Sequence, residues 1–232
     1  MACADRGMER GASASDETAC IDEPLDIIEE MNRQFDDAII TTDVGQHMML
    51  VSQYAEITEK KQLVMSGGLG TMGYGFPAAI GAQIGNPEKR VIAVSGDGGM
   101  QMNIQEFATA VLEETPVIAC VFNNTYLGMV RQWQKLFYGK RYGMTNLRAG
   151  ALSRRTDGAE FPEYTPDFVK LAESYGAKGI RVTETEEIAA AFEEAKKNTK
   201  TPTLIEFIID PEEMVYPMIK PGGTLEDMIM DC

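Results

Sequence analysis

The fold of this chain is decided by residues 91–124, which read VIAVSGDGGMQMNIQEFATAVLEETPVIACVFNN. Two apolar runs of strand length, 91–95 and 117–122, flank a segment, 104–113, in which apolar residues recur at helical spacing. Short continuous runs rich in β-branched residues are typical of strands that are buried on both faces. The stretch therefore predicts a strand–helix–strand unit of a parallel sheet.

The same alternation continues on both sides of this unit. It predicts a first helix from Pro24 and then the following elements: strands 38–42, 62–65, 179–182 and 204–209, and helices 46–54, 76–84, 129–137, 166–175 and 186–197. Strands that alternate with helices indicate an α/β domain. We therefore expect a three-layer α/β sandwich with a central, mostly parallel six-stranded sheet.

Two segments do not follow the alternation. Residues 1–22 are small, polar and aperiodic, which predicts a disordered leader ahead of one domain over residues 23–232. Residues 146–163 contain glycine, arginine and proline but no periodic face. A long irregular segment of this kind is either a lid or binding loop or an ordinary surface insertion, and the sequence leaves both open.

Composition excludes several classes of protein. The 232 residues carry a net charge of −15, whereas a protein that coats DNA or RNA has a basic footprint. No apolar run reaches the ~18 residues of a membrane-spanning helix, and the first residues contain no apolar core of a secretory signal. Four scattered cysteines without metal-ligand spacing favour a reducing compartment. We therefore expect a cytoplasmic protein without nucleic-acid or membrane partners.

Charge is unevenly distributed along the chain. Residues 41–150 contain 8 acids and 9 bases, a net charge of +1, whereas residues 1–40 and 151–232 each carry a net charge of −8. A near-neutral middle segment would tolerate an anionic ligand. The same pattern would also follow if the middle of the chain were simply more buried than its flanks.

Four loops rich in glycine, carboxylate and amide groups follow predicted strands. They are DVGQH at 43–47, SGGLGTMGYG at 66–75, GDGG at 96–99 and NNTYLG at 123–128. In open α/β sheets, ligands bind beyond the carboxyl ends of the strands, and parallel strands all end at one edge of the sheet. The four loops are therefore expected to contribute to one binding site.

One of these loops matches the dinucleotide-binding fingerprint. Gly68, Gly70 and Gly73 follow the GxGxxG spacing between a strand and a helix, and Asp97 comes 24 residues after Gly73. Two features count against this interpretation. Asp97 is enclosed by glycines rather than free to bind a ribose, and the motif follows an earlier strand–helix unit. A lone glycine fingerprint is a weak indication of a nucleotide site.

The pair formed by GDG at 96–98 and NN at 123–124 is more specific. Asp97 and Asn124 are 27 residues apart, which is enough for a helix and a strand and brings two strand ends together. Carboxylate, amide and carbonyl oxygens are ligands that Mg²⁺ prefers, with phosphate and water completing its shell. Either motif alone would be interpreted as a turn. Together, at this spacing, they resemble the signature of thiamine diphosphate binding.

Further motifs resemble one family, acetohydroxyacid synthase (acetolactate synthase), in its large catalytic subunit. They occur in the family's order: VGQH at 44–47, SGGLGTMGYGFPAAIGA at 66–82, LGMV at 127–130, QW at 132–133, PMI at 217–219 and GG at 222–223. The resemblance covers about residues 24–230 and corresponds to the C-terminal, diphosphate-binding domain. It implies a transferase that condenses two 2-keto acids, pyruvate with pyruvate or 2-ketobutyrate, with loss of CO2 in branched-chain amino acid biosynthesis.

The resemblance also implies the residues that bind metal and cofactor. Asp97 and Asn124 would bind Mg²⁺ through their side chains, and Tyr126 through its backbone oxygen. Gln46 and His47 would contact the diphosphate, since they lie near a helix start, where free N–H groups favour phosphate. The other residues expected to surround thiamine diphosphate are Gly45, Gly70, Thr71, Met72, Gly98, Gly99, Leu127, Gly128 and Met129.

Two residues are expected at the reacting end of the cofactor. By resemblance, Met72 is the apolar wedge that keeps thiamine diphosphate bent. Trp133 is the only tryptophan of the chain. By resemblance it faces the substrate channel and helps to select the second 2-keto acid, although a single tryptophan is also consistent with plain core packing.

Two parts of the family's enzyme are not recognised in this sequence. In the family, the glutamate that activates the cofactor lies in an N-terminal pyrimidine-binding domain of a neighbouring subunit, and FAD binds a middle domain. The resemblance therefore implies a partner that supplies the pyrimidine-binding domain, in a homo- or hetero-oligomer. FAD is expected only if a middle domain is supplied as well.

Three interpretations stay open. The chain is the diphosphate-binding part of an acetolactate synthase, encoded separately or cut from a longer chain. Alternatively, it is the corresponding subunit of a two-subunit 2-keto acid decarboxylase of the sulfopyruvate or phosphonopyruvate type, or a non-catalytic remnant. Trp133 and the motif at 217–219 favour the first over the second, and the intact metal-binding pattern weighs against the third.

Overall fold

The computed structural model describes residues 19–147 and 166–230. Most of the predicted leader, residues 1–18, lies outside this part of the chain. Most of the irregular segment, residues 148–163, lies outside it as well. The leader and lid hypotheses for these two segments stay predictions.

A six-stranded sheet forms the centre of the described chain. Its strands are β1 Ile39–Thr42, β2 Gln62–Met65, β3 Val91–Gly96, β4 Ile118–Asn123, β5 Lys178–Val182 and β6 Thr203–Ile208. Their order across the sheet is β2–β1–β3–β4–β6–β5, and every neighbouring pair is parallel. All six predicted strands are present, within one residue of their predicted bounds.

Helices cover both faces of the sheet. The described α-helices are α1 Leu25–Gln34, α2 Gln46–Tyr54, α3 Gly75–Gly85, α4 Asp97–Met100, α5 Glu106–Leu112, α6 Gly128–Phe137, α7 Phe168–Ser174 and α8 Ile188–Lys197. One apolar cluster contains buried side chains of α1, α2 and α8, among them Ile28, Val51 and Phe192. A second cluster contains side chains of α3, α5 and α7, among them Phe76, Phe107 and Phe168. The predicted three-layer α/β sandwich is therefore confirmed.

The central strands have apolar side chains on both faces and not on alternate positions only. In β3, Ile92 and Val94 belong to the first cluster, whereas Val91 and Ala93 belong to the second. Successive side chains of a strand point to opposite faces, and both faces are covered by helices. Positions on both faces therefore favour apolar residues, which is why a continuous run predicted these strands.

Residues before the predicted start at Pro24 already pack against the domain. Ile21, which the sequence placed in the leader, is fully buried. Its N–H donates to the carbonyl of Ile208 at 2.8 Å, and its carbonyl accepts from the N–H of Asp210 at 3.1 Å. The leader prediction is therefore wrong at Ile21, because one isoleucine among polar residues carries no periodic signal.

A short helix and two short strands were not predicted. Residues Asp97–Met100 form the helix α4, where the sequence indicated only a loop, because aspartate and glycine are poor helix formers. The pairs Met218–Ile219 (β7) and Met228–Ile229 (β8) form a two-stranded antiparallel ladder. Within the described ranges, no helix combines the length and apolar character that crossing a bilayer requires.

Replacing Ile21 by Ala should lower the free energy of unfolding by about 2–4 kcal/mol, because the truncation removes buried apolar surface and leaves a cavity. Urea denaturation followed by circular dichroism measures this change. Ile84→Ala is the matched control, since that isoleucine is 57% exposed on α3 and its truncation should cost less than about 0.5 kcal/mol. Equal effects of the two substitutions would contradict the docking of Ile21.

Candidate functional site

A cleft opens at the carboxyl edge of the sheet. The chain passes from β1 to β2 on one side and returns to β3 on the other, which makes the β1–β3 boundary the point where such sheets bind ligands. The cleft is lined by Val44, Gly45, Gln46, His47, Met72, Gly96, Asp97, Gly98, Gly99, Phe122, Asn124, Tyr126, Leu127, Gly128, Met129, Val130 and Ile209. Residues of all four predicted loops therefore meet here.

Three predicted site residues do not line this cleft. Gly70 and Thr71 shape the glycine loop: Gly70 has a φ of +68°, and the Thr71 N–H donates to Ser66 Oγ at 3.1 Å. Trp133 lies on α6, where it is 36% exposed and contacts Phe137 edge to face. The contacts expected of these three residues with cofactor or substrate stay predictions.

Asp97 stands at the start of α4, directly after β3. Its Oδ1 accepts a hydrogen bond from the N–H of Gly98 at 2.8 Å, whereas its Oδ2 is buried and has no partner among the residues described. Burial raises the pKa of Asp97 to about 7, although the backbone N–H groups of Gly98 and Thr125 favour the charged form. A buried oxygen of this kind costs free energy unless a proton or a cation satisfies it, so Asp97 fits a metal site.

Asn124 and Tyr126 follow β4, the strand beside β3. Thr125 between them has a φ of +62°, in the left-handed region, so the chain turns sharply here. The Oδ1 of Asn124 accepts from the N–H of Tyr126 at 3.0 Å, and its Nδ2 donates to Gln46 Oε1 at 3.2 Å. Both residues line the cleft with Asp97. The expected metal ligands thus share one cleft and offer only oxygen, which suits Mg²⁺.

A buried network of hydrogen bonds and an ion pair holds the turn at Thr125 in place. Asn123 Oδ1 accepts from the N–H of Thr125 at 3.0 Å, and Asn123 Nδ2 donates to Glu206 Oε1 at 2.7 Å. Arg181 Nε donates to the other oxygen of Glu206 at 2.8 Å. Burial raises the pKa of the Glu206 carboxyl, and Asn123 and Arg181 offset part of this rise. Sequence reasoning missed the network, although a glutamate inside the apolar strand β6 was an available signal.

Two positions of the site require glycine because a polar side chain lies directly against their backbone. A Cβ on Gly99 would lie 2.1 Å from Asp43 Oδ2, and a Cβ on Gly128 would lie 2.0 Å from Gln46 Oε1. Any larger residue at either position would displace a polar side chain of the site. The glycines of α4 and α6 are therefore part of the geometry of the site and not only of its turns.

Asp43 joins these loops and was not predicted as a site residue. Its carboxylate is fully buried directly after β1. Oδ1 accepts from His47 Nε2 at 2.9 Å and from Ser95 Oγ at 2.8 Å, and Oδ2 accepts from the N–H of Gly73 at 2.6 Å. Burial alone would raise the pKa of Asp43, but His47 and the other donors outweigh it and hold the pKa below its usual range. A carboxylate directly after a buried strand was the signal that could have identified it.

The side chain of Gln46 is engaged by the protein itself. Besides the contact of Gln46 with Asn124, its Nε2 donates to Gln132 Oε1 at 2.8 Å and to the carbonyl of Glu213 at 3.1 Å. Gln132 in turn donates to the carbonyl of Val215 at 2.8 Å. Gln46 therefore ties one wall of the cleft together, and the diphosphate contact expected of it stays a prediction.

The helices α2 and α6 both begin at the cleft. They start at Gln46 and Gly128, and no side chain of the described residues caps either N-terminus. The first N–H groups of an uncapped helix are free to bind an anion, and the helix dipole adds positive potential there. This end of the cleft therefore suits a phosphate group.

Comparison with known proteins agrees with this geometry. Residues 43–207 match the family described as thiamine pyrophosphate enzyme, C-terminal TPP binding domain. The chain is 42% identical over 205 residues to the probable acetolactate synthase large subunit of Methanocaldococcus jannaschii, over 88% of this chain and 32% of that protein. It is 42% identical over 206 residues to the acetolactate synthase large subunit of Corynebacterium glutamicum, over 88% of this chain and 31% of that protein.

A further relative is the acetolactate synthase isozyme 3 large subunit of Escherichia coli, 40% identical over 194 residues, 83% of this chain and 31% of that protein. The chain thus spans about a third of the length of the relatives it matches. The cleft residues Asp97 and Asn124 lie within the region that the family match covers. The resemblance found in the sequence is therefore confirmed, and the chain belongs to the thiamine pyrophosphate enzymes as a C-terminal TPP-binding domain similar to that of acetolactate synthase large subunits.

Proposed function

We propose that this chain is the diphosphate-binding part of an acetolactate synthase. The complete enzyme would condense pyruvate with pyruvate or 2-ketobutyrate, with loss of CO2, in the formation of branched-chain amino acids. The observation that carries the proposal is the buried Oδ2 of Asp97, which has no partner among the described residues and lies in a cleft that Asn124 also lines. The names of the relatives support this reaction over that of a two-subunit 2-keto acid decarboxylase.

Mg²⁺ would be held by Asp97, Asn124 and the backbone oxygen of Tyr126. Among the described residues that line the cleft, Asp97 is the only acid. One carboxylate leaves most of the ion's charge to be balanced by phosphate oxygens, which is the usual arrangement for Mg²⁺ in proteins. The metal would therefore connect the protein to the diphosphate of the cofactor.

The diphosphate would lie at the starts of α2 and α6. Their uncapped N–H groups offer hydrogen-bond donors at this end of the cleft, beside the imidazole of His47. The glycines at 98, 99 and 128 let the side chains of Leu127, Asp43 and Gln46, respectively, pack directly against the backbone of the cleft wall. These donors, and the absence of other acids among the described residues of the cleft lining, support an anionic ligand.

When bound, thiamine diphosphate supplies the nucleophilic carbon that attacks the keto group of pyruvate. The chain's own side chains would shape an apolar wall beside it. The Cε of Met72 and Cδ2 of Leu127 lie 3.4 and 2.8 Å from the position a Cβ on Gly98 would take. Met72 is accordingly proposed as the wedge that keeps the cofactor bent, and Trp133 as a residue that selects the second 2-keto acid.

The edge of the sheet that carries the cleft also exposes apolar side chains. Met65 at the end of β2 and Met102 after α4 are exposed, and Leu69 in the glycine loop is 87% exposed. Exposed apolar side chains grouped near a binding cleft are typical of an interface. We propose that a pyrimidine-binding domain, from a homo- or hetero-oligomeric partner, covers this edge in the cytoplasm and supplies the activating glutamate. FAD would bind only where a middle domain is present.

Replacing Asp97 by Asn should weaken Mg²⁺-dependent binding of thiamine diphosphate by about 10- to 100-fold, because the substitution removes the only carboxylate ligand. The stability of the folded chain should not fall, since asparagine has the shape of the uncharged acid that burial favours. Isothermal titration calorimetry of the full chain measures the affinity. Asp36→Asn, at an exposed position, is the control and should bind normally. Unchanged affinity after Asp97→Asn would contradict the metal assignment.

The affinity for Mg²⁺ should rise with pH up to about 7 and level off above it. Because the pKa of Asp97 is raised to about 7, Mg²⁺ has to displace a proton from this carboxyl at lower pH. The affinity should therefore fall by up to about tenfold for each pH unit below 7. Without metal, the same carboxyl favours the folded state in acid, and this contribution is lost as pH rises from about 4 to 7. Calorimetry at pH 6, 7 and 8 tests this, and a pH-independent affinity would contradict it.

The chain by itself should bind thiamine diphosphate weakly and form no acetolactate. It holds the diphosphate end, whereas the activating glutamate is expected from a partner, so the reactive geometry of the cofactor is not enforced. Acetolactate formation with saturating Mg²⁺ and cofactor should appear only after a pyrimidine-binding domain is added. The Asp97→Asn chain with the same partner is the matched control and should stay inactive. Turnover by the chain alone would show that one of its own residues replaces the glutamate.

A further inference from the structure

His47, the only histidine of the chain, makes a buried contact with Asp43. Its Nε2 lies 2.9 Å from Asp43 Oδ1. The pKa of Asp43 lies below its usual range, so this carboxylate is ionised and can only accept hydrogen bonds. The proton on this side of the imidazole is therefore on Nε2, and the contact fixes both the plane and the tautomer of the ring.

The opposite edge of the ring faces the cleft. Nδ1 and Cε1 of His47 lie against Gly45 and Gly96, and a Cβ on Gly96 would be only 3.1 Å from Nδ1. Both glycines line the cleft at the start of α2 and the end of β3. Within the described chain, the one hydrogen bond of the His47 ring is that of Nε2, so Nδ1 stays available to a ligand.

We propose that Asp43 is a positioning residue for the diphosphate end of the site and that it acts through His47. Its carboxylate holds Nε2–H on the protein side and leaves Nδ1 for an anionic oxygen. When the diphosphate binds, Nδ1 takes a proton from solvent and donates it in a hydrogen bond to that oxygen, while Asp43 balances the positive charge of the ring. This ligand contact rests on the proposed function, whereas the tautomer of the free chain does not.

The same carboxylate also holds the glycine loop. Asp43 Oδ2 accepts from the N–H of Gly73, which directly follows Met72 in the chain. A single buried group therefore connects the diphosphate end of the cleft with the loop that carries the proposed wedge. Loss of the charge of Asp43 should affect His47 more than Gly73, because the N–H of Gly73 requires only an acceptor oxygen and not a charge.

Asp43→Asn should invert the tautomer of His47. The amide oxygen has to face Gly73, because a backbone N–H cannot accept a hydrogen bond. The amide NH2 then faces Ser95 and His47. The hydroxyl of Ser95 can rotate to accept, but the imidazole can accept at Nε2 only if its proton moves to Nδ1. The variant therefore keeps the shape of the site, but Nε2 of His47 changes from a hydrogen-bond donor to an acceptor.

The experiment uses the full chain labelled with ¹⁵N-histidine, in which the single histidine yields one pair of ring signals. The free wild-type chain should show a protonated Nε2 and an unprotonated Nδ1. Addition of Mg²⁺ and thiamine diphosphate should protonate Nδ1 as well. Asp43→Asn should show the reversed tautomer, stay neutral when the cofactor is added, and bind it about tenfold more weakly, because a charge-assisted hydrogen bond becomes a neutral one.

A double-variant cycle separates positioning from general destabilisation. If Asp43 acts through His47, Asp43→Asn should cause less than about a twofold further loss of cofactor affinity in a His47→Gln chain. Ser95→Ala removes one donor to Asp43 but keeps the carboxylate, so it should retain the wild-type tautomer even if Asp43→Asn does not fold. Asp37→Asn, at an exposed position, should leave the ring signals and the affinity unchanged.

Each result decides the proposal. A free wild-type chain with the proton on Nδ1, or with both tautomers averaged, would overturn it, and so would independent, multiplicative losses in the double variant. Cofactor binding that leaves Nδ1 unprotonated would overturn the ligand contact while leaving the proposed function in place. Failure of the wild-type chain to bind thiamine diphosphate would overturn the proposed function, and the tautomer measurement would still decide the role of Asp43 toward His47.

Discussion

The arrangement of the site depends on one buried carboxylate, that of Asp43. It receives hydrogen bonds from α2 through His47, from β3 through Ser95 and from the glycine loop through Gly73. Its Oδ2 also occupies the space that a Cβ on Gly99 would fill. A buried charge is tolerated only when its donors are all in place, so these four segments have to meet in a single geometry.

Two buried carboxylates at neighbouring strand ends show opposite behaviour for the same physical reason. Asp43 has three donors, and its pKa lies below the usual range despite burial. Asp97 has one oxygen without a partner in the described part of the chain, and burial raises its pKa to about 7. The number of hydrogen-bond donors therefore gives the two carboxylates different roles. Both oxygens of Asp43 have donors, and this residue holds the loops together, whereas Asp97 can exchange a proton for a cation. The difference arises from their surroundings, since both residues are aspartates.

The metal loop depends on a second buried charge. Asn123, which holds the left-handed turn at Thr125, is itself held by Glu206, and Arg181 pairs with that glutamate and with Asp167 at the start of α7. Buried ion pairs contribute little net stability, because desolvation offsets their attraction. Their effect here is to link three strands to one turn, so that the orientation of Asn124 follows from the packing of the whole sheet.

The sequence by itself determined the strands, the order of the loops and the family. Continuous β-branched runs identify buried parallel strands through local composition, and the GDG and NN motifs keep their meaning because strand ends share one edge of the sheet. Only the tertiary structure decided the roles of Asp43, Glu206 and Ile21. These roles depend on distant partners: Ser95 lies 52 residues from Asp43, and Glu206 lies 83 residues from Asn123. Local pattern contains no information on such contacts. The helix α4 likewise forms against its own propensity, because the packing around Asp97 outweighs the weak helical preference of glycine and aspartate.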